Sequence, residues 1–143
     1  MTEKIILLVE DNPDDEMLTL RALEKNNIDN RVVVARDGAE ALNLIFGPQS
    51  GGIYPGLVLL DLRLPKLDGL EVLSRLRSDP RTKLVPIVIF TSSDEEQDIL
   101  RSYVQGANSY IRKPIDFNHY SEAIRQTATY WLRLNVPPPQ TAA

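Results

Sequence analysis

Short continuous apolar runs alternate with segments of helical period five times along this chain. The runs cover residues 5–9, 32–35, 57–60, 87–90 and, more weakly, 109–111; the helical patterns lie near 13–26, 38–46, 69–78, 94–104 and 116–134. Strands that alternate with helices predict parallel pairing through right-handed crossovers. A run that is apolar at every position suits a strand covered on both faces, which makes the first, third and fourth strands central and leaves the short second and the polar fifth at the edges. The expected fold class is therefore α/β: a doubly wound, five-stranded parallel sheet in the order 2-1-3-4-5 with five helices. Its ligand crevice should lie between strands 1 and 3, at their carboxyl ends.

The punctuation between the runs supports this layout. Asn12 followed by Pro13 reads as an N-cap and a first-turn proline, and Asp14, Asp15 and Glu16 suit the positive end of a helix. Asp68 with Glu71, and Ser93 with Glu96, have capping-box spacing. Gly47 and Gly106 stand where helices should stop, and residues 47–56 (GPQSGGIYPG) read as an open loop. One domain over residues 1–135 is expected, followed by a proline-rich tail at 136–143 (VPPPQTAA) that does not pack.

Composition narrows the function classes. The chain has 143 residues, 43% apolar and 25% charged, enough for one real core. Its net charge of −4 and pI near 5.0, without any Lys/Arg cluster, argue against nucleic-acid binding. No apolar run is long enough to span a bilayer and the start lacks a basic leader, so no membrane association is expected and the cytoplasm is the default location. Cysteine is absent, which excludes disulfides.

The chemistry collects where the strands end. Residues 57–69, LVLLDLRLPKLDG, pass from four buried-type residues straight to Asp61, and an unpaired buried charge is expensive. Strand 1 ends in Glu10 and Asp11, strand 4 in Thr91 and Ser92, and strand 5 is followed by Lys113 and Pro114. Two unit charges about 4 Å apart repel by roughly 4 kcal/mol at an effective dielectric near 20. A hard divalent cation removes that cost, and an acid set without His or Cys suits Mg²⁺, with Mn²⁺ as the alternative. A carboxylate can also act as a nucleophile and form an aspartyl phosphate.

VEDN (9–12), LLDLRLPKLDG (59–69), FTSS (90–93) and YIRKP (110–114), together and in register, resemble the signature set of two-component response regulator receiver domains, the CheY-like (flavodoxin-like) fold. The likeness covers roughly residues 4–134. It implies that Asp61 accepts a phosphoryl group from a sensor histidine kinase. It also implies that Asp11, Asp61 and the backbone carbonyl of Arg63 hold Mg²⁺, with Glu10 acting through water. Lys113 would contact the phosphoryl group, Thr91 would swing toward it, and Tyr110 would be the switch aromatic that follows Thr91. The Lys113–Pro114 bond would be cis. Glu10 stands where the family commonly has Asp, a swap that keeps the charge. The output would be a changed protein-interaction surface rather than an enzymatic activity on another substrate.

Plainer readings compete at single positions. Thr91 could merely help cap the fourth helix, Tyr110 could be an edge-strand aromatic, and Arg63 could be a loop charge rather than a group that alters phosphate lifetime. His119 is expected in the first turn of the last helix, away from the crevice. Phe117, Tyr120, Ile124, Ala128 and Trp131 form a stripe at spacings of three and four, mostly core. Trp131, Leu132 and Leu134 continue it late, which predicts a homodimer through the last helix and the neighbouring helix 4–strand 5 surface. The long last helix and the 78–93 segment also resemble the single-domain regulators that partner bacterial phytochromes. Of the rival classes, a haloacid-dehalogenase-like phosphatase needs a second acid two residues after its nucleophile, where Arg63 stands. A dinucleotide module needs a glycine-rich turn where EDNPDD stands. A phosphorylation-independent scaffold would show an incomplete acid set.

Overall fold

The computed structural model describes residues 4–48 and 52–139. Five parallel strands, β1 (Ile5–Val9), β2 (Val32–Ala35), β3 (Pro55–Leu60), β4 (Ile87–Thr91) and β5 (Ser109–Arg112), pair in the order β2-β1-β3-β4-β5. Between and after them run α1 (Pro13–Lys25), α2 (Gly38–Phe46), α3 (Gly69–Ser78), α4 (Glu96–Val104) and α5 (Phe117–Thr129). The expected order and helix number hold. Among the described residues, no helix is long and apolar enough to cross a membrane.

Because successive strand residues face opposite sides, every central strand feeds two cores. Leu7, Val9, Val58, Leu60, Ile87 and Ile89 pack with α2 and α3 through Ala41, Ile45, Val72, Leu73 and Leu76. Ile6, Leu8, Leu57, Leu59, Val88 and Phe90 pack with α1 and α5 through Ala22, Leu23, Tyr120, Ile124 and Ala128. This double coverage is why the runs are apolar at every position. The in-register pairs Val9↔Leu60 and Leu60↔Ile89 bring the carboxyl ends of β1, β3 and β4 to one edge.

Several boundaries differ from the sequence expectation. β3 starts at Pro55, two residues early, as a proline can at the first position of a strand. The loop before it is correspondingly shorter, and its residues 49–51 lie outside the described residues. Ser93 and Glu96 do not form a capping box: the N-cap of α4 is Glu95, without a side-chain cap. The Ser93 hydroxyl donates instead to Asp98 Oδ2 at 2.6 Å. The other caps stand as read, with Asn12 accepting from the Asp14 and Asp15 amides and Asp68 from that of Glu71.

The last helix is not α-helical to its end. Residues Tyr130–Leu134 form a π-helical turn closed by Asn135 N–H to the Tyr130 carbonyl at 2.6 Å. Leu132 is thereby buried in the α1/α5 core, whereas Trp131 is half-buried against Tyr130. Leu132 therefore covers the sheet and offers nothing to a partner. Lys4 Nζ donates to its carbonyl at 2.7 Å, tying the start of β1 to the last helical turn. Of the tail, residues 136–139 are exposed and 140–143 lie outside the described residues.

Candidate phosphoryl-acceptor site

Local sequence explains how each group arrives. β1 ends and the chain turns at once into α1, whose Asn12 cap and Pro13 fix the helix start beside the strand ends. Asp61 directly follows β3, and the loop behind it closes against the first turn of α3. A Cβ at Gly69 would lie 2.3 Å from the Asp61 carbonyl oxygen, so only glycine lets α3 begin this close to the acid. The Gly69 N–H donates to the Leu62 carbonyl at 2.9 Å, which pins the loop. β5 delivers Lys113, whose N–H donates to the Thr91 carbonyl at 2.7 Å.

These groups converge on a crevice of about 420 Å³ lined by Asp11, Asp15, Asp61, Arg63, Thr91 and Lys113 among others. Asp61 is buried and its two oxygens are engaged separately. Oδ1 accepts from the Thr91 hydroxyl at 2.7 Å and from the Arg63 N–H at 3.2 Å. Oδ2 accepts from Lys113 Nζ at 2.8 Å. The same ammonium donates to Glu10 Oε1 at 2.6 Å and to Asp15 Oδ2 at 2.8 Å, and its side chain is only 5% exposed. Glu10, 1% exposed, also accepts from the Asn12 N–H through Oε2 at 3.2 Å.

Electrostatics follow from that packing. Burial pushes Glu10 up to about 7, a rise that the hydrogen bond and charge of Lys113 oppose and the charge of Asp61 reinforces. Burial alone would lower the Lys113 pKa. The charge of Asp61 and the hydrogen bonds that the ammonium donates to Asp15, Asp61 and Glu10 outweigh it, so the pKa is raised and the amine stays an ammonium.

Glu10, Asp15 and Asp61 thus share one cation, with Asp11 lining the same crevice. Glu10, Asp11 and Asp61 each offer an oxygen within 4.8 Å of the others. An all-oxygen set of this kind, short of positive charge, fits a hard divalent ion such as Mg²⁺ or Mn²⁺.

Of the expected site residues, Glu10, Asp11, Asp61, Thr91 and Lys113 come together as read. The Lys113–Pro114 bond is not cis: the described residues contain no cis peptide bond. The lysine reaches the acids because β5 pairs in register with β4, and trans is the lower-energy isomer. The Arg63 side chain, at the rim of the crevice and 67% exposed, reaches toward Glu95 at 3.6 Å and Asp98 at 3.8 Å on the start of α4. Tyr110 is half-buried and donates its hydroxyl to the Ser93 carbonyl at 2.8 Å, which ties β5 to the segment just beyond Thr91. His119 is 80% exposed beside Asp116, away from the crevice as expected.

Sequence reasoning missed Asp15. By sequence it reads only as a first-turn acid suited to the helix dipole, although the third position of a helix capped at Asn12 faces back toward the strand ends.

Comparison with known proteins gives a consistent result. The family description "Response regulator receiver domain" matches residues 6–125. The chain is 42% identical over 135 residues to the probable methanogenesis regulatory protein FilR2 of Methanothrix harundinacea, covering 94% of this chain and 87% of that protein. It is 36% identical over 134 residues to the response regulator Rcp1 of Synechocystis, covering 90% and 89%. The crystal structure of the Mn²⁺-bound form of Rcp1 superposes with a TM-score of 0.87 at 34% identity, covering 95% of this chain and 99% of that one. The phosphorylated cyanobacterial phytochrome response regulator RcpA superposes with a TM-score of 0.90 at 37% identity, covering 96% and 100%.

Proposed function

This chain belongs to the response regulator receiver family, and from that premise we propose that Asp61 is its phosphoryl acceptor. As a receiver it takes a phosphoryl group from a sensor histidine kinase in a Mg²⁺- or Mn²⁺-dependent reaction and signals through protein contacts. The observation that carries the assignment to Asp61 is its hydrogen-bond set: one buried carboxylate holds the Thr91 hydroxyl, the Lys113 ammonium and the Arg63 N–H at the head of the crevice.

A carboxylate oxygen of Asp61 attacks phosphorus as the bond to the donor's imidazole nitrogen breaks, and the departing imidazole carries off the electron pair. Glu10, Asp11, Asp61 and the Arg63 carbonyl would hold the divalent ion, which supplies charge neutralisation for the transferring oxygens. Lys113, donating to Asp61 Oδ2, would supply the second compensating charge. Thr91, already donating to Asp61, is placed to donate to a phosphoryl oxygen. Its segment carries Ser93, whose carbonyl holds Tyr110, so a shift of Thr91 would move the aromatic on the β5 face.

The test offers acetyl phosphate with Mg²⁺ to the wild type and to Asp61→Asn, read by intact mass. One added phosphoryl group on the wild type alone supports the assignment, and equal uptake by the mutant overturns it. Sustained hydrolysis of unrelated phosphate esters would instead make the protein a phosphatase; Arg63 occupies the position where that chemistry needs an acid.

The finer partner readings share this footing. A bacterial phytochrome is the proposed kinase, supported by the likeness to RcpA. Homodimerisation through the α4–β5–α5 face is supported by Leu100, Tyr103 and Val104 on α4, which are 65%, 48% and 77% exposed. A mass in solution that stays monomeric at all concentrations would remove the dimer. The receiver domain is proposed to end near residue 135, and its place is proposed to be the cytoplasm.

A further inference from the structure

An ammonium has three protons, and each of those on Lys113 meets a different carboxylate. Two of the three, Glu10 and Asp61, belong to the group that can hold an ion, and Asp61 is the proposed acceptor. Both change their charge relations during the reaction. The third, Asp15, lies outside that group of oxygens and has no part in the chemistry described so far.

Its anchorage is also different. Asp15 sits in the first turn of α1, where Asn12 accepts from its N–H at 3.2 Å. Its carbonyl accepts from the Tyr120 hydroxyl at 3.2 Å, and that hydroxyl shares a 2.8 Å hydrogen bond with Thr19. Tyr120 is 2% exposed and packs edge-on against Phe90, with ring centres 5.1 Å apart. The Asp15 backbone is therefore fixed to the α1/α5 core, while its side chain, 25% exposed, reaches the lip of the crevice.

We propose that Asp15 is a positioning residue that tethers the Lys113 ammonium. It holds the amine over Asp61 after Glu10 has turned its charge to a metal ion and after Asp61 has taken up a phosphoryl group. A lysine has a long, freely rotating stem, and with Glu10 and Asp61 committed elsewhere Asp15 is the carboxylate left to fix its direction as the phosphoryl group arrives. Reactive groups lose rate steeply when misplaced by an ångström.

This inference rests on the acceptor reading, and the experiment separates the two. Phosphorylation by acetyl phosphate at saturating Mg²⁺ is followed by intact mass in the wild type, Asp15→Asn, Asp15→Glu, Lys113→Ala and the Asp15→Asn/Lys113→Ala double variant. Asp15→Asn is expected to lower the maximal rate about tenfold with the half-saturating acetyl phosphate unchanged. Asp15→Glu should recover part of the rate. The double variant should be no slower than Lys113→Ala alone, because the tether acts only through the lysine. Mg²⁺ affinity by titration calorimetry should be unaltered in Asp15→Asn.

Three results overturn the proposal: wild-type rates in Asp15→Asn, an equal further loss in the Lys113→Ala background, or an ion affinity about tenfold weaker, which would make Asp15 an ion ligand. If the wild type itself takes up no phosphoryl group, the acceptor reading fails. The tether is then judged on the Lys113 ammonium signal in ¹⁵N NMR. That signal should be slow to exchange in the wild type and lost in Asp15→Asn, and its persistence in the variant rejects the tether.

Discussion

Two sheltered cations mark the two poles of this sheet, and they are held in opposite ways. At the carboxyl pole, Lys113 is surrounded by three carboxylates. At the amino pole, Arg77 on α3 meets no carboxylate among the described residues. Its guanidinium donates to the carbonyls of Gly106 at 2.7 Å, Lys83 at 3.1 Å and Val85 at 2.7 Å, and to Asn108 Oδ1 at 2.8 Å. Burial pushes the Arg77 pKa down with no negative charge to offset it. Carbonyl dipoles are neutral and fixed in the backbone, so that arrangement has one state and serves as a clasp for the loops before β4 and β5. Carboxylates can exchange one cation for another, so the Lys113 arrangement can be rebuilt by a metal ion or a phosphoryl group. The same residue class is structural at one pole and reactive at the other because of what satisfies it.

The contrast can be broken most severely at the reactive pole. Lys113→Met should cut phosphoryl uptake about 100-fold or more, since it removes a preorganised charge from the transferring group. Mass spectrometry over a time course reads that loss, and melting in the presence of Mg²⁺ shows that the fold persists. Arg77→Met should do the reverse. Several carbonyls and an amide oxygen lose their donor, so stability should fall by about 2–4 kcal/mol in urea titration. Phosphoryl uptake by the folded fraction should not change.

A smaller effect sharpens the comparison through pH. The folded-state pKa of Glu10, about 7, lies above its ordinary value of 4.5. Between those values the folded protein binds more protons than the unfolded chain, so metal-free stability should fall as pH rises through this window. The fall should amount to a few kcal/mol at most. Saturating Mg²⁺ should stabilise the protein more at pH 8 than at pH 5.5, and a melting series with and without Mg²⁺ reads the difference. Arg77 should contribute no such dependence. The smallest effect is expected from Arg63→Ala. Its contacts with Glu95 and Asp98 are long and mostly exposed, so stability should change by less than about 1 kcal/mol.

The fold and most of the site were legible because they rest on patterns that burial imposes. Strands covered on both faces must be apolar at every position, and a strand-end acid such as Asp61 is conspicuous after Leu57, Val58, Leu59 and Leu60. What escaped the sequence depends on spatial partners that leave no local trace. Asp15 looks like any first-turn acid until β5 brings Lys113 to it. Arg77 looks like any last-turn basic residue until five backbone and side-chain oxygens close around it. The π-helical turn hides for a related reason: its sequence, YWLRL, is amphipathic under either winding, and only the folded chain shows Leu132 in the core. Ser93 has the spacing of a cap, but its hydroxyl donates to Asp98 and accepts from the Glu95 N–H rather than from that of Glu96.

The bond from Lys4 to the Leu132 carbonyl brings the beginning and the finish of the folded unit within one side chain's reach, on the side facing away from the acids. A short peptide joining the two would close the backbone into a ring, and the ring could be reopened between α2 and β3. Such a circular permutant should keep the same architecture and an unobstructed crevice.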